Sequence, residues 1–209
     1  MHELYIVYKN IFELIKYREY SPESDTFGSE NEFILYSKSH DPIILSGHRG
    51  TRTLKVFLIQ NKEVLSRPKL PGIIMDNSSP QDEIILVFEK GISAAYNSSI
   101  IEAERTRHSI LKSAQKIWYM TYDNLKTVIP RYVLNVGEYH IMTEDEKNLV
   151  LKMNRIELSS WPKVYEYDPL NLWLGGLPGQ MLEYNGPSET GGKTTKYFEI
   201  VSSPRYSSK

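Results

Sequence analysis

The spacing of apolar residues predicts two helices at the start of the chain. Apolar side chains recur at three- and four-residue intervals over residues 2–18, which is the pattern of an amphipathic helix. A second helix is predicted between a capping Ser29 and Tyr36. We expect Phe33, and either Leu35 or Tyr36, to face the protein interior.

Strand patterns follow these helices. Residues 42–46 and 53–59 are rich in β-forming residues and flank a Gly-containing turn, which predicts a hairpin. Residues 83–88 are nearly continuously apolar, as in a strand that is buried on both faces of a sheet. Residues 93–114 favour a helix and residues 117–122 favour a strand, so a right-handed parallel crossover is expected between the two strands.

A different pattern begins near Pro130. Thr143 and Glu146 fit a capping box, and the helix that follows carries Leu149, Val150 and Met153 on one side. We expect this helix to lie on a terminal sheet.

That sheet is predicted from the last third of the chain. Asp168 and Pro169 fit the start of a short helix, and Gly175 fits its left-handed end. After a Pro-Gly turn, residues 180–184 and 195–201 alternate as half-buried strands do. The patterns therefore predict an α+β protein with an α/β domain at 1–128 and a compact mixed-sheet domain with short helices at 130–209.

Composition narrows the class of protein. Of the 209 residues, 40% are hydrophobic and 24% are charged, and no apolar run approaches the ~20 residues that span a bilayer. The sequence has no cysteine, so we expect neither a disulfide nor a thiolate metal site. An intracellular location is expected for the same reason. The net charge of −1 lacks the basic excess of an autonomous DNA-binding protein and fits a subunit that presents surfaces to larger partners.

The sequence gives only weak evidence for a phosphate-binding loop and for a metal site. Residues 186–194 suggest a phosphate-binding loop, but the spacing to Gly-Lys-Thr is one residue too long and a strand follows where a helix is required. A hairpin loop, with Ser188 and Thr190 bonded to backbone amides and Gly192 left-handed, explains it better. The five histidines show no metal-binding spacing, and His140 is expected to be a hydrogen-bonded structural residue.

The C-terminal residues also resemble a known family. Asp168-Pro169, Gly175, Gly179 and then Pro-Ser-Glu-Thr-x-Gly from Pro187 resemble the signature of the small subunit shared by eukaryotic RNA polymerases I, II and III and of its archaeal counterpart. The segments His140–Glu146 and Trp161–Val164 extend this resemblance, which covers about residues 130–201. The Trp-Leu-Gly-Gly-x-Pro-Gly variant resembles versions encoded by large DNA viruses.

The resemblance implies a non-catalytic structural subunit without a cofactor or metal. It implies docking of residues 130–209 on the largest subunit of a multisubunit DNA-directed RNA polymerase, with residues 1–128 in the lower jaw beside downstream duplex DNA. The implied location is the nucleus for a cellular protein, and the cytoplasm or virion for a viral one. The residues expected at the subunit interface are Asp168, Pro169, Trp173, Gly175, Gly179, Pro187, Ser188, Glu189, Thr190 and Gly192.

The chain departs from the family pattern at two positions. Gly186 and Phe198 stand where the family usually has basic residues, so any contact made by those cations is in doubt. Separately, a basic helix face suggests local contact with the DNA backbone, although a solvated face explains the same charges. Its residues are Arg105, Arg107, Lys112 and Lys116.

Two alternatives remain open. One is a metal-dependent nuclease on the N-terminal domain, which would use Asp82 with Glu89 and Lys90, although adjacent residues of a strand point to opposite faces. The other is a free-standing interaction module built on the C-terminal domain.

Overall fold

A computed structural model describes residues 2–24, 27–60, 69–90, 94–112, 115–132, 137–188 and 190–202. They form two compact units, Met1–Thr127 and Val128–Lys209. The division falls beside Pro130, where the boundary is predicted. Helices and mixed sheets occur in both units, so the α+β class is confirmed.

A five-stranded sheet forms the centre of the first unit. Its strands are β1 (Ser21–Pro22), β2 (Ile43–Arg49), β3 (Arg52–Ile59), β4 (Glu83–Phe88) and β5 (Ile117–Thr121), in that spatial order. β2 is antiparallel to β1 and β3, whereas β4 is parallel to both β3 and β5. Five of the six residues of β4 are buried, because this strand has neighbours on both sides.

The helices of this unit are α1 (His2–Tyr17), α2 (Glu30–Ser37), α3 (Leu70–Asn77), α4 (Ala94–Leu111) and α5 (Tyr122–Leu125). One side of α1 is buried, from Leu4 to Ile15. The ring of Tyr8 on α1 stacks on Phe33 of α2 at a centroid distance of 4.4 Å. Aromatic packing thus joins the first two helices.

Most predicted elements of this unit are confirmed. Ser29 caps α2 by accepting a hydrogen bond from the Glu32 amide at 3.3 Å, and β3, β4 and β5 have the predicted order and a parallel β4–β5 connection. Phe33 is buried, but the inward orientation of Leu35 or Tyr36 is wrong, because both are exposed. The helix α3 has no counterpart among the predicted elements, because loop-forming residues dominate the sequence just before it.

The described residues of the second unit form a four-stranded sheet and two α-helices. The strands are β6 (Glu138–Ile141), β7 (Lys163–Tyr165), β8 (Met181–Pro187) and β9 (Lys193–Val201), in the order β6-β8-β9-β7. β8 is antiparallel to β6 and β9, and β7 is parallel to β9. The helices are α6 (Glu144–Asn154) and α7 (Pro169–Leu174), with 3-10 turns at Ile129–Arg131 and Leu158–Ser160.

The predicted hairpin and the capping box of this unit are confirmed. Thr143 and Glu146 cap α6 reciprocally, and β8 pairs with β9 as expected. Of the three apolar residues expected on the side of α6 that faces the sheet, Val150 is half-buried, but the inward orientation of Leu149 and Met153 is wrong, because both are exposed. Alternation identified the two long strands, whereas β7 has only three residues and gave no pattern.

Among the described residues, no helix is both long enough and apolar enough to cross a membrane.

Candidate subunit-interface site

The helix α7 begins and ends at the residues that its sequence predicts. The Asp168 carboxylate accepts a hydrogen bond from the Leu170 amide at 2.9 Å, and Pro169 occupies the first turn. Gly175 ends the helix with φ of 79°, and its amide donates to the Asn171 carbonyl at 2.8 Å. Both ends of this short helix are therefore fixed by local hydrogen bonds.

Asn171 holds the segments on either side of α7. It is completely buried, and its Nδ2 donates to the carbonyls of Glu166 at 3.0 Å and Gly176 at 2.8 Å. A side chain at Gly176 would meet the Asn171 amide oxygen and the Ile141 side chain. Asn171 was not identified from the sequence alone. The feature that could have identified it is its position as a polar residue among the apolar residues of a short helix.

A tight turn follows α7. Residues 177–180 form it, with the Gln180 amide donating to the Leu177 carbonyl at 3.0 Å and Gly179 at φ of 89°. This is the geometry of a Pro-Gly type II turn. The Gly179 amide donates to the Ile200 carbonyl at 2.9 Å, so the turn is joined to β9. We call residues 177–181 with 199–201 the hairpin base.

The other end of the hairpin carries the Pro-Ser-Glu-Thr-x-Gly segment. The Ser188 amide donates to the Gly192 carbonyl at 2.9 Å, and Ser188 Oγ accepts a long hydrogen bond from the Thr190 amide at 3.4 Å. Gly191 and Gly192 have φ of 85° and 106°. The strand β9 follows this loop, where a phosphate-binding loop would open a helix. The predicted roles of Ser188 and Gly192 in a hairpin loop are confirmed, whereas the Thr190 hydroxyl contacts Ser188 Oγ at 3.1 Å and not the predicted backbone amide.

The predicted interface residues divide between the two ends of the hairpin. Asp168, Pro169, Gly175 and Gly179 lie toward the hairpin base, and Pro187, Ser188, Thr190 and Gly192 lie at the tip. The seven residues of β8 separate these groups by about 20 Å at the usual rise of a strand. Glu189 lies outside the described residues.

Trp173 corrects one expectation. Its side chain is 0% exposed, so it belongs to the interior of the second unit and is not available as an anchor for a partner. It lies on the buried side of α7 beside Asn171 and Leu172, where an apolar ring is more stable than in water. Its effect on any interface is indirect.

The start of α6 carries a compact polar network next to the hairpin base. Glu146 accepts hydrogen bonds from the Thr143 amide at 2.7 Å and the Thr143 hydroxyl at 2.8 Å, and contacts His140 Nε2 at 3.1 Å. The Thr143 amide, His140 and the Thr143 hydroxyl lower the pKa of Glu146 to about 2. The expected structural role of His140 is confirmed. Lys147 adds a hydrogen bond to the Gly179 carbonyl at 3.2 Å, which links α6 to the turn.

The four basic residues predicted to contact DNA differ in how exposed they are in the first unit. Arg107 is 1% exposed, and its Nη2 donates to the carbonyls of Ser79 at 2.7 Å and Asp82 at 2.5 Å. Desolvation lowers the pKa of Arg107, while Asp82 opposes that shift. The expectation that Arg107 contacts DNA is wrong, because its guanidinium fastens α4 to the segment before β4.

The other three cations remain accessible to different degrees. Arg105 and Lys112 are exposed, and Lys116 is half-buried with its Nζ 5.0 Å from the centre of the Trp118 ring. They do not form one basic surface with Arg107.

The nuclease arrangement is absent from the described residues. Asp82 precedes β4, whereas Glu89 and Lys90 follow it, so the strand places them about 20 Å apart. Asp82 instead accepts from the Ser79 amide at 2.8 Å and pairs with Lys55 at 3.2 Å. In the part of the chain that the structure describes, His, Asp and Glu side chains nowhere form a group of three that would hold a metal ion.

The known proteins that this chain resembles match it in its C-terminal residues. Residues 129–198 match the family model described as RNA polymerase Rpb5, C-terminal domain. The chain is 39% identical over 66 residues to DNA-directed RNA polymerase subunit Rpo5 of Thermococcus onnurineus, a match that covers 32% of this chain and 80% of the relative. Rpo5 of Pyrococcus abyssi is 33% identical over 66 residues, covering 79% of that relative. Rpo5 of Methanococcus maripaludis is 32% identical over 66 residues, covering 85% of its length.

The matched residues coincide with the second compact unit and contain the capping box, α7, the type II turn and the hairpin. The first unit lies outside the match. The chain therefore belongs to the Rpb5/Rpo5 family of DNA-directed RNA polymerase subunits.

Proposed function

We propose that this chain is a non-catalytic structural subunit that docks through residues 128–209 on the largest subunit of a multisubunit RNA polymerase. The observation that carries the proposal is the coincidence of the Rpb5 C-terminal match with a complete compact unit. A domain that relatives named Rpo5 contain over most of their length is the part of this chain best suited to assembly.

The hairpin base supports the proposal physically. The turn at 177–180 is joined to β9 by the Gly179 amide and to α6 by Lys147, and α7 is fixed at both ends. A surface that is already ordered loses little conformational entropy when it binds. Leu177 is 43% exposed on this turn and offers apolar area to a partner.

We propose further that residues 1–127 form part of the lower jaw near downstream duplex DNA. The exposed cations Arg105 and Lys112 support contact with phosphates. Residues 1–128 carry 16 basic and 16 acidic side chains, so the contact is local and weak. An intracellular location follows from this function.

The test is recovery of the complex through a tag on this chain in its native source, after a wash at moderate salt. Mass spectrometry is expected to find the two large polymerase subunits in equimolar amounts with the tagged chain. Recovery of the chain alone, or with unrelated proteins, would support the free-standing interaction module and would contradict the proposal.

A further inference from the structure

The helix α6 presents an unpartnered apolar stripe to solvent. Leu149 is 59% exposed and Met153 is 73% exposed. Residues four positions apart lie on one side of a helix. Long apolar side chains grouped in this way mark interaction sites more often than isolated ones do.

Two unpaired charges lie on the same side of α6 as this stripe. Asp145 and Lys152 are exposed, and neither side chain forms an ion pair or hydrogen bond within the described part of the chain. The neighbouring charges do pair: Lys147 with Glu144 at 2.7 Å, and His140 with Glu146 at 3.1 Å. Seven residues are about two turns, so Asp145 and Lys152 lie about 10 Å apart on the same side of α6.

The order of the two charges along α6 indicates which charges a partner must carry. A partner must place a basic group opposite Asp145, near the start of α6, and an acidic group opposite Lys152, near its end. Helices favour acidic residues in their first turn and basic residues in their last. A helix that runs antiparallel to α6 therefore brings its basic end to Asp145 and its acidic end to Lys152.

We propose that the α6 face, formed by Asp145, Leu149, Lys152 and Met153, binds an antiparallel amphipathic helix of another polymerase subunit. The partner helix carries apolar residues at i and i+4, with a basic and an acidic residue about two turns apart beside them, as in helix recognition by an apolar surface. This inference rests on the proposed function, because membership of a polymerase supplies the partner.

The test uses the full chain, tagged and assembled in the polymerase, with a photo-cross-linking amino acid at Leu149 or Met153. Asn154 is the matched control, since it is exposed on the same helix but points away from the stripe. Cross-links from 149 and 153, but not from 154, to one helical peptide of another polymerase subunit are expected. Cross-links to a second copy of this chain, to a protein outside the polymerase or to nothing would overturn the inference.

A substitution pair gives an independent measurement. Leu149→Ser with Met153→Ser is expected to leave the thermal unfolding of the free chain unchanged, because both residues are exposed in it. Its incorporation into the polymerase in competition with the wild-type chain should fall at least about tenfold. Asn154→Ser should compete equally. Equal competition by the double variant would overturn the α6 proposal alone, whereas absence of the wild-type chain from the polymerase would overturn the proposed function.

Discussion

The ring of Tyr184 lies directly over Gly186, two residues further along the same face of β8. A Cβ atom at Gly186 would overlap the hydroxyl oxygen and Cζ of that ring. The ring also covers Gly137, and it lies 5.1 Å from the Tyr139 ring of β6. A side chain at position 186 would therefore collide with the Tyr184 ring.

Gly186→Ala should destabilise residues 128–209 by about 1–3 kcal/mol, because the new methyl group displaces the Tyr184 ring from its packed position. Urea denaturation followed by the fluorescence of this unit measures the change. In a Tyr184→Ala background the same substitution should cost much less, since the obstructing ring is gone. Equal costs in both backgrounds would show that the ring does not restrict position 186.

Trp173→Ala should destabilise the second unit by about 3–5 kcal/mol, because it leaves a cavity where the ring is completely buried. Leu149→Ala, on the exposed stripe of α6, is the contrast and should change stability by no more than about 0.5 kcal/mol. Thermal unfolding of the two variants compares them. A small effect of Trp173→Ala on the free chain would mean that the ring is not part of its core.

Glu146 should titrate at about pH 2 in the folded chain, below the usual glutamate pKa of about 4.3. Since the folded pKa is the lower one, the capping interaction stabilises α6 above the unfolded pKa and is lost as the pH falls through the folded pKa. NMR titration of the Glu146 carboxyl carbon measures this. Thr143→Val should move the pKa upward, and an unchanged value would exclude the hydroxyl as a cause.

Arg107→Ala should destabilise the first unit by at least about 2 kcal/mol, because it removes two hydrogen bonds from a buried guanidinium to the Ser79 and Asp82 carbonyls. Arg105→Ala, two residues away and exposed, should change stability by no more than about 0.5 kcal/mol. Thermal denaturation of both variants is the measurement. Matching stabilities would contradict a structural role for Arg107.

Local chemistry made the ends of several elements predictable. The caps at Ser29, Thr143 and Asp168 accept hydrogen bonds from backbone amides within four residues of themselves. Both partners of each interaction are therefore close together in the sequence. The left-handed Gly175 and the Pro-Gly turn are local in the same sense.

Burial was less predictable, because it depends on elements distant in the chain. Arg107 and Lys112 both look like surface cations in the sequence, yet Arg107 is covered by the segment at residues 79–82. Trp173 looks like an anchor and is core, whereas Leu149 and Met153 of α6 look like core and are exposed. At Gly186 a side chain would meet the Tyr184 ring, a contact that depends on how that ring packs.

The most direct test of the central claim is the molar ratio of this chain to the largest subunit in polymerase purified through a tag on a different subunit. Quantitative mass spectrometry with labelled peptides from residues 138–188 and from the largest subunit gives this ratio before and after a high-salt wash. Membership as a structural subunit predicts a constant one-to-one ratio. A ratio far below one, or one that falls to zero on washing, would contradict it.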